Sequence, residues 1–198
     1  MLKTCQIVND YQHSCTYILY EDECDYVWLV DCGDAESVER WLSIHGKTLK
    51  GVFLTHCHDD HTFGLRRLLK EMPALQVFLS AHKGVECVQD TRLNLSKFTP
   101  EPFQIFTDHF VELKNGEEVT LFPDTELTAI QVDGHSPDSM AYRIGTFLFT
   151  GDAYIPPLEV VTKLPGADKE RAAASLAMIK MLVKTEKLTV LPGHEINS

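Results

Sequence analysis

Apolar and polar positions alternate in short bursts along the first part of the chain. Residues 5–8, 14–20 and 26–31 are brief, rich in β-branched and aromatic side chains, and separated by polar turns, so each predicts a strand. Glu21-Asp22-Glu23 predicts a hairpin turn between the second and third. The period then changes. Over residues 35–45, Val38, Trp41, Leu42 and His45 share one side of a helix, with Gly46 placed as its C-cap. His45 at that end complements the helix dipole, which is a structural role. The same reading predicts strands at 51–55, 76–81, 119–122, 126–132, 140–144, 147–150 and 188–191, with turns at Pro123-Asp124 and Gly145-Thr146. Helices are predicted over 60–72, stopped by Pro73, over 82–89, and over 168–184, where Ala172, Leu176, Ile179, Met181, Leu182 and Val183 are available for burial. Residues 90–112 carry Phe98, Phe103, Phe106 and Phe110 without a clean period. They read as an irregular segment whose rings form a hydrophobic flap or plug the core, the core being favoured because exposed aromatic clusters are uncommon.

Strand clusters followed by helices in both halves predict two sheets covered by helices. The length of 198 residues and the absence of repeats or linkers fit one domain over residues 1–198. No apolar run approaches the ~20 residues of a membrane span, and the opening residues lack the apolar core of a signal peptide. The six cysteines form no Cys-x-x-Cys pair and mostly lie in apolar runs, so reduced, buried thiols and a cytoplasmic location are expected. A net charge of −11 argues against a nucleic-acid partner, since such binding rests on Lys and Arg neutralising phosphates. A small molecule is the expected partner; the pattern leaves the oligomeric state open.

The candidate chemistry is concentrated in Thr55-His56-Cys57-His58-Asp59-Asp60-His61, directly after the apolar run 51–54. Imidazole nitrogens and carboxylate oxygens are ligands for borderline cations such as zinc. In extended chain, residues i and i+2 point the same way, so His56 and His58 can converge on one ion while Cys57 points away. Asp60 and His61, past the turn, point elsewhere, so one segment can serve two neighbouring metals. Downstream, Asp133-Gly134-His135-Ser136, Phe149-Thr150-Gly151-Asp152 and Leu191-Pro192-Gly193-His194 each place a His or Asp just after an apolar run, with Gly alongside. Five of the nine histidines belong to this constellation. Asp152 suits a bridge, because a carboxylate has two oxygens and its charge offsets the repulsion between two cations; Gly151 leaves room for close backbone approach.

In this order the motifs resemble the metallo-β-lactamase-fold hydrolase superfamily, and most closely its glyoxalase II-like branch, over about residues 5–195. The resemblance implies an α+β fold, a four-layer αββα sandwich. It implies one metal on His56, His58 and His135, another on Asp60, His61 and His194, and Asp152 between them. Asp60 and Asp152 then carry the catalytic role. Two zinc ions are the expected cofactors, with iron or manganese as substitutes, and a metal-bound hydroxide would cleave a small thioester, ester or lactone. Asp31 would support the ligands from behind. Asp59 reads as a solvated loop charge or helix N-cap. His13 and His82, near predicted loops, read as surface histidines before pocket-lining ones, and His109 lies in the irregular segment without an assignment.

Two departures matter. Glyoxalase II proteins carry a helical domain after the last ligand histidine; here Glu195-Ile196-Asn197-Ser198 follow, which leaves glutathione specificity unsupported. The family often reads Gly-His-Thr-Pro-Gly-Ser, where this chain has Gly134-His135-Ser136-Pro137-Asp138-Ser139; Asp138 alters a pocket wall or caps a turn. A cysteine replaces Asp152 in true β-lactamases, which weighs against antibiotic hydrolysis. The competing readings are a mononuclear iron oxidoreductase resembling persulfide dioxygenases and a non-catalytic metal-binding protein.

Overall fold

The computed structural model describes residues 1–195; residues 196–198, part of the segment compared above with the glyoxalase II helical domain, lie outside it. Six strands form the first sheet in chain order: β1 (Lys3–Val8), β2 (Cys15–Tyr20), β3 (Tyr26–Val30), β4 (Thr48–Phe53), β5 (Gln76–Ser80) and β6 (Phe110–Leu113). β1 to β3 are an antiparallel meander, and β3 to β6 run parallel. The second sheet holds β7 (Glu118–Phe122), β8 (Thr125–Gln131), β9 (Met140–Ile144) and β10 (Phe147–Gly151) as antiparallel neighbours, with β11 (Thr189–Pro192) parallel to β10.

Alternation along the strands sorts side chains into three cores. Tyr17, Trp28, Val30 and Phe53 of the first sheet meet Phe122, Leu127, Tyr142 and Phe149 of the second in the central layer. The intervening residues Ile18, Leu29 and Val52 face the helices α1 (Ala35–His45), α3 (Leu65–Glu71) and α4 (Gly84–Gln89), which bury Val38, Leu68 and Val88. Leu148 and Ala141 face α5 (Lys169–Glu186) through Ile179, Leu182 and Val183. The order is therefore helix, sheet, sheet, helix, as the resemblance implies. Trp28 Nε1 donates to Leu121 O across the sandwich at 2.9 Å, satisfying its one polar group inside an apolar layer.

α1 spans the predicted residues, with Asp34 accepting from the amides of Glu36 and Ser37 and Gly46 left-handed at φ 60°. Its apolar face is narrower than expected: Val38 is buried, Trp41 and Leu42 half-buried, and His45 is exposed, stacked on Trp41 with Nδ1 2.8 Å from Trp41 O. Asp168 caps α5 rather than beginning it, and Met181 of that helix is exposed.

Three expectations are corrected. The single helix over 60–72 is two, α2 (Asp59–Thr62) and α3, separated by Phe63-Gly64. His61 O is diverted to the amide of Cys32, and Gly64 N donates to Cys32 O at 3.0 Å. A Cβ on Gly64 would lie 2.6 Å from the backbone nitrogen of Ala35, so only glycine allows this approach. Residues 110–112, read as irregular, open β6, a short edge strand in which only Leu113 is buried; one buried position in four leaves no alternation to read. Of the four phenylalanines over residues 98–110, Phe103 is in the core and Phe110, the first residue of β6, is half-buried, whereas Phe98 and Phe106 are 71% and 64% exposed. Asn94 and Ser96 hold the loop by hydrogen bonds to Phe103, which orients that ring alone inward.

Candidate metal centre

β3 and β4 are parallel, and β8, β10 and β11 share a direction in the other sheet, so the loops after these strands gather at one edge. The two sheets are joined there: Met140 N donates to Thr55 O at 2.7 Å, and Tyr142 Oη donates to Leu54 O at 2.6 Å. β4 delivers residues 55–61, β8 delivers His135, β10 delivers Asp152 and β11 delivers His194. Gly151, at φ 48°, lets the chain turn against Thr55, whose Oγ1 would be 2.5 Å from any Cβ added there.

All seven expected residues come together. His56 Nε2 lies 3.0 Å from His58 Nδ1, which lies 3.1 Å from His135 Nε2. Beside this group, His194 Nε2 is 3.2 Å from Asp60 Oδ2 and 3.3 Å from His61 Nε2. Asp152 lies between the two groups. Its Oδ2 is 3.5 Å from His135 Nε2 and 3.3 Å from His194 Nε2, and its Oδ1 is 3.4 Å from His61 Nε2. Asp152 Oδ1 has no hydrogen-bond partner although buried.

The remaining ring nitrogens are fixed from behind. Thr55 Oγ1 donates to Asp31 Oδ2 at 2.7 Å and so can accept from His56 Nδ1 at 3.0 Å. His61 Nδ1 donates to the same Asp31 oxygen at 2.9 Å. His135 Nδ1 donates to Val161 O and His194 Nδ1 to Gln12 O, each at 3.0 Å. Four histidines are thus held at Nδ1 from behind and aim Nε2 at the centre. His58 is reversed: its Nδ1 faces inward, and its Nε2 is buried without a partner. Asp31 also receives Thr55 N at 2.7 Å and sits at φ 60°, a left-handed conformation that costs a non-glycine residue about 1–3 kcal/mol and is kept where the surroundings enforce it.

The two groups differ electrically. Burial, with neighbouring imidazoles, holds His56 well below its ordinary pKa; burial pushes His58 down to about 3 and lowers His135. Burial opposes charge on His61 and His194 too, but carboxylates outweigh it: Asp60, Asp152 and Asp31 hold His61 well above its ordinary value, and Asp152 and Asp60 bring His194 to about 9. Burial likewise opposes charge on Asp152, yet His61 and His194 keep it well below the usual carboxylate range. Converging lone pairs on one side, an anionic cluster on the other and an orphaned carboxylate oxygen between them fit cations held by these side chains.

Other expectations meet mixed outcomes. Cys57 points away from the centre as alternation requires, and is buried beside Cys87 and Asp138; all six cysteines are free thiols. Asp138 does not reach solvent: it is buried and accepts from Ser136 Oγ at 2.8 Å, a bond within the turn it was expected to cap. Asp59 is not solvated and does not cap a helix. It is buried as the first residue of α2, where its Oδ2 accepts from Tyr11 Oη at 2.9 Å. His13, His82 and His109 are exposed and stand outside the clusters. Tyr11, Gln12 and Val161 escape a sequence reading: two act through backbone carbonyls, and Tyr11 meets Asp59 across 48 positions.

The chain matches the family model described as the metallo-beta-lactamase superfamily over residues 8–194. A hydroxyacylglutathione hydrolase of Pseudoalteromonas translucida (strain TAC 125) is 32% identical over 125 residues, covering 63% of this chain and 40% of that protein. One from Prochlorococcus marinus (strain NATL1A) is 27% identical over 194 residues, covering 88% and 65%. The chain spans less than two thirds of the length of either. Among solved structures, BLEG-1 B3 metallo-beta-lactamase superposes with a TM-score of 0.83 at 27% identity, covering 98% of this chain and 92% of the other. TTHA1623, crystallised in a di-iron-bound form, gives 0.81 at 23% identity over 98% and 93%, a likeness of fold. With the fold, the motif order and the family model in agreement, the chain belongs to the metallo-β-lactamase superfamily.

Proposed function

We propose that this protein is a metal-dependent hydrolase of a small thioester, ester or lactone, with two metal ions, zinc foremost. His56, His58 and His135 would hold one, Asp60, His61 and His194 the other, and Asp152 would touch both. The position of Asp152, with Oδ2 3.5 Å from His135 and 3.3 Å from His194 and Oδ1 3.4 Å from His61, is the observation that carries this reading. When bound, such cations acidify water and polarise a carbonyl. The chain's own part is to fix five imidazoles and two carboxylates in a largely buried edge. Asp31 orients His61 directly and His56 through Thr55. The relatives named hydroxyacylglutathione hydrolase support a thioester substrate.

Elemental analysis of protein prepared without chelator should approach two metals per chain. Hydrolysis in water labelled with heavy oxygen should place the label in the acid product. A single iron per chain with no fillable second site, or label entering from molecular oxygen, would replace this reading with the dioxygenase one. A β-lactam belongs in the same substrate panel, because BLEG-1, at 27% identity, is named a B3 metallo-beta-lactamase.

A further inference from the structure

The loop between β1 and β2 connects the metal centre to a second feature. Gln12 holds His194 through its carbonyl, and the preceding Tyr11 donates to Asp59, the neighbour of Asp60. The Tyr11 ring lies 6.4 Å from Phe63, and Phe63 lies 5.8 Å from Phe103 in an edge-on contact, with the Arg66 guanidinium 4.9 Å above the Phe103 ring. Tyr11 and Phe63 remain 41% and 46% exposed. Together with Thr99, Pro100 and Glu101 these two rings line a cavity of about 350 Å³. Two large rings left open beside an expected reaction centre, and not buried in the core, have the composition of a ligand pocket.

We propose that this pocket receives the acyl group of the substrate and selects an uncharged, apolar acyl chain of roughly phenylacetyl size. The inference rests on the hydrolase reading above. The acyl half is assigned by composition. Among the described residues lining the cavity Glu101 alone is charged, and the Arg66 guanidinium lies 5.8 Å from the Phe63 ring, so the apolar faces of Tyr11, Phe63 and Pro100, not a net charge, select what enters. The groove beside Val161, the residue that holds His135, is lined instead by Glu159, Lys163 and Lys169, which suits a charged carrier. The cavity is also of the size that ligand pockets take, on the order of 300 Å³ and upward. Phe63 and Tyr11 are then specificity-determining residues: they touch the acyl chain and leave the reacting carbonyl to the metal centre.

The test uses the zinc-loaded protein with N-acetylcysteamine thioesters of acetate and 4-fluorophenylacetate. Binding of the fluorophenyl compound's carba analogue, in which a methylene replaces the sulfur, is followed in parallel by fluorine NMR. kcat/KM should favour the aromatic acyl group by about tenfold or more, from the apolar area it buries. Phe63→Ala should cut that preference and weaken the analogue about fivefold, Phe63→Leu should restore most of both, and exposed Met181→Ala should change neither. Equal affinity of the analogue for wild type and Phe63→Ala, or no acyl preference in wild type, would overturn the pocket. Absence of any hydrolysis with Phe63-dependent binding intact would instead break the hydrolase reading and leave the pocket as an apolar ligand site.

Discussion

The histidines of the two clusters behave oppositely. His56, His58 and His135 face one another with no carboxylate of their own, and burial keeps them neutral. His61 and His194 sit among Asp60, Asp152 and Asp31, which hold protons on them. An imidazole must be neutral to bind a metal. The first cluster is therefore ready for a cation as folded, while the second must first release protons. Both clusters rest on imidazoles; it is the placement of carboxylates, Asp60 among them, that separates the two.

Removing what the clusters share should break the comparison most severely. Asp152→Ala should lower kcat on the order of a thousandfold, the scale of losing a group that stabilises charge in a reaction, and leave at most one metal by elemental analysis. Near wild-type turnover with both metals retained would show that Asp152 does not join the sites.

The proton inventory sharpens the comparison. Because the pKa values of His61 and His194 are raised, both are protonated at neutral pH before metal arrives, and metal must displace those protons. Loading of the second site should strengthen as pH rises towards about 9, the value for His194. Metal content should be near one per chain at about pH 6 and near two at about pH 8.5. Identical pH dependence for both metals would refute the distinction. Asp31→Asn weakens the acceptor behind His61 and should reduce affinity for the second metal by about 10–100-fold in a competitive chelator titration.

Behind the imidazole cluster, burial raises the Asp138 carboxyl to about 7. Its ordinary value is 3.8, so the folded state holds a proton that the unfolded state has lost between about pH 4 and 7. Stability should fall as pH rises across that window. Asp138→Asn, which keeps an acceptor for Ser136, should remove the fall, on the order of 3 kcal/mol between pH 5 and 8. Chemical denaturation of metal-free protein at both pH values checks it. The smallest effect is expected for exposed His82→Ala, within about 0.5 kcal/mol in stability and with metal content unchanged.

The clustering of these seven residues was legible because their residue types are costly to place by accident and each follows a strand whose apolar run is visible. The sandwich was legible as strand clusters followed by helices; its four-layer order came from resemblance. What stayed hidden depends on contacts between distant segments. The break at Gly64 exists because residues 32–35 pass against it, and Asp59 is buried because Tyr11 covers it. Phe98, Phe103 and Phe106 look alike in sequence, and only the hydrogen bonds of Asn94 and Ser96 decide which one turns inward.

Each cluster takes donors from both sheets: His56 and His58 need His135, and Asp60 and His61 need His194. A ribosome delivers the first sheet, residues 3–113, well before β11 emerges. A nascent chain therefore displays four donors that cannot close around an ion until the partners from the second sheet arrive, the last of them 133 positions after His61. If the second cluster binds a metal, its capture would mark the end of assembly, and a chain ending inside α5 would leave that cluster open.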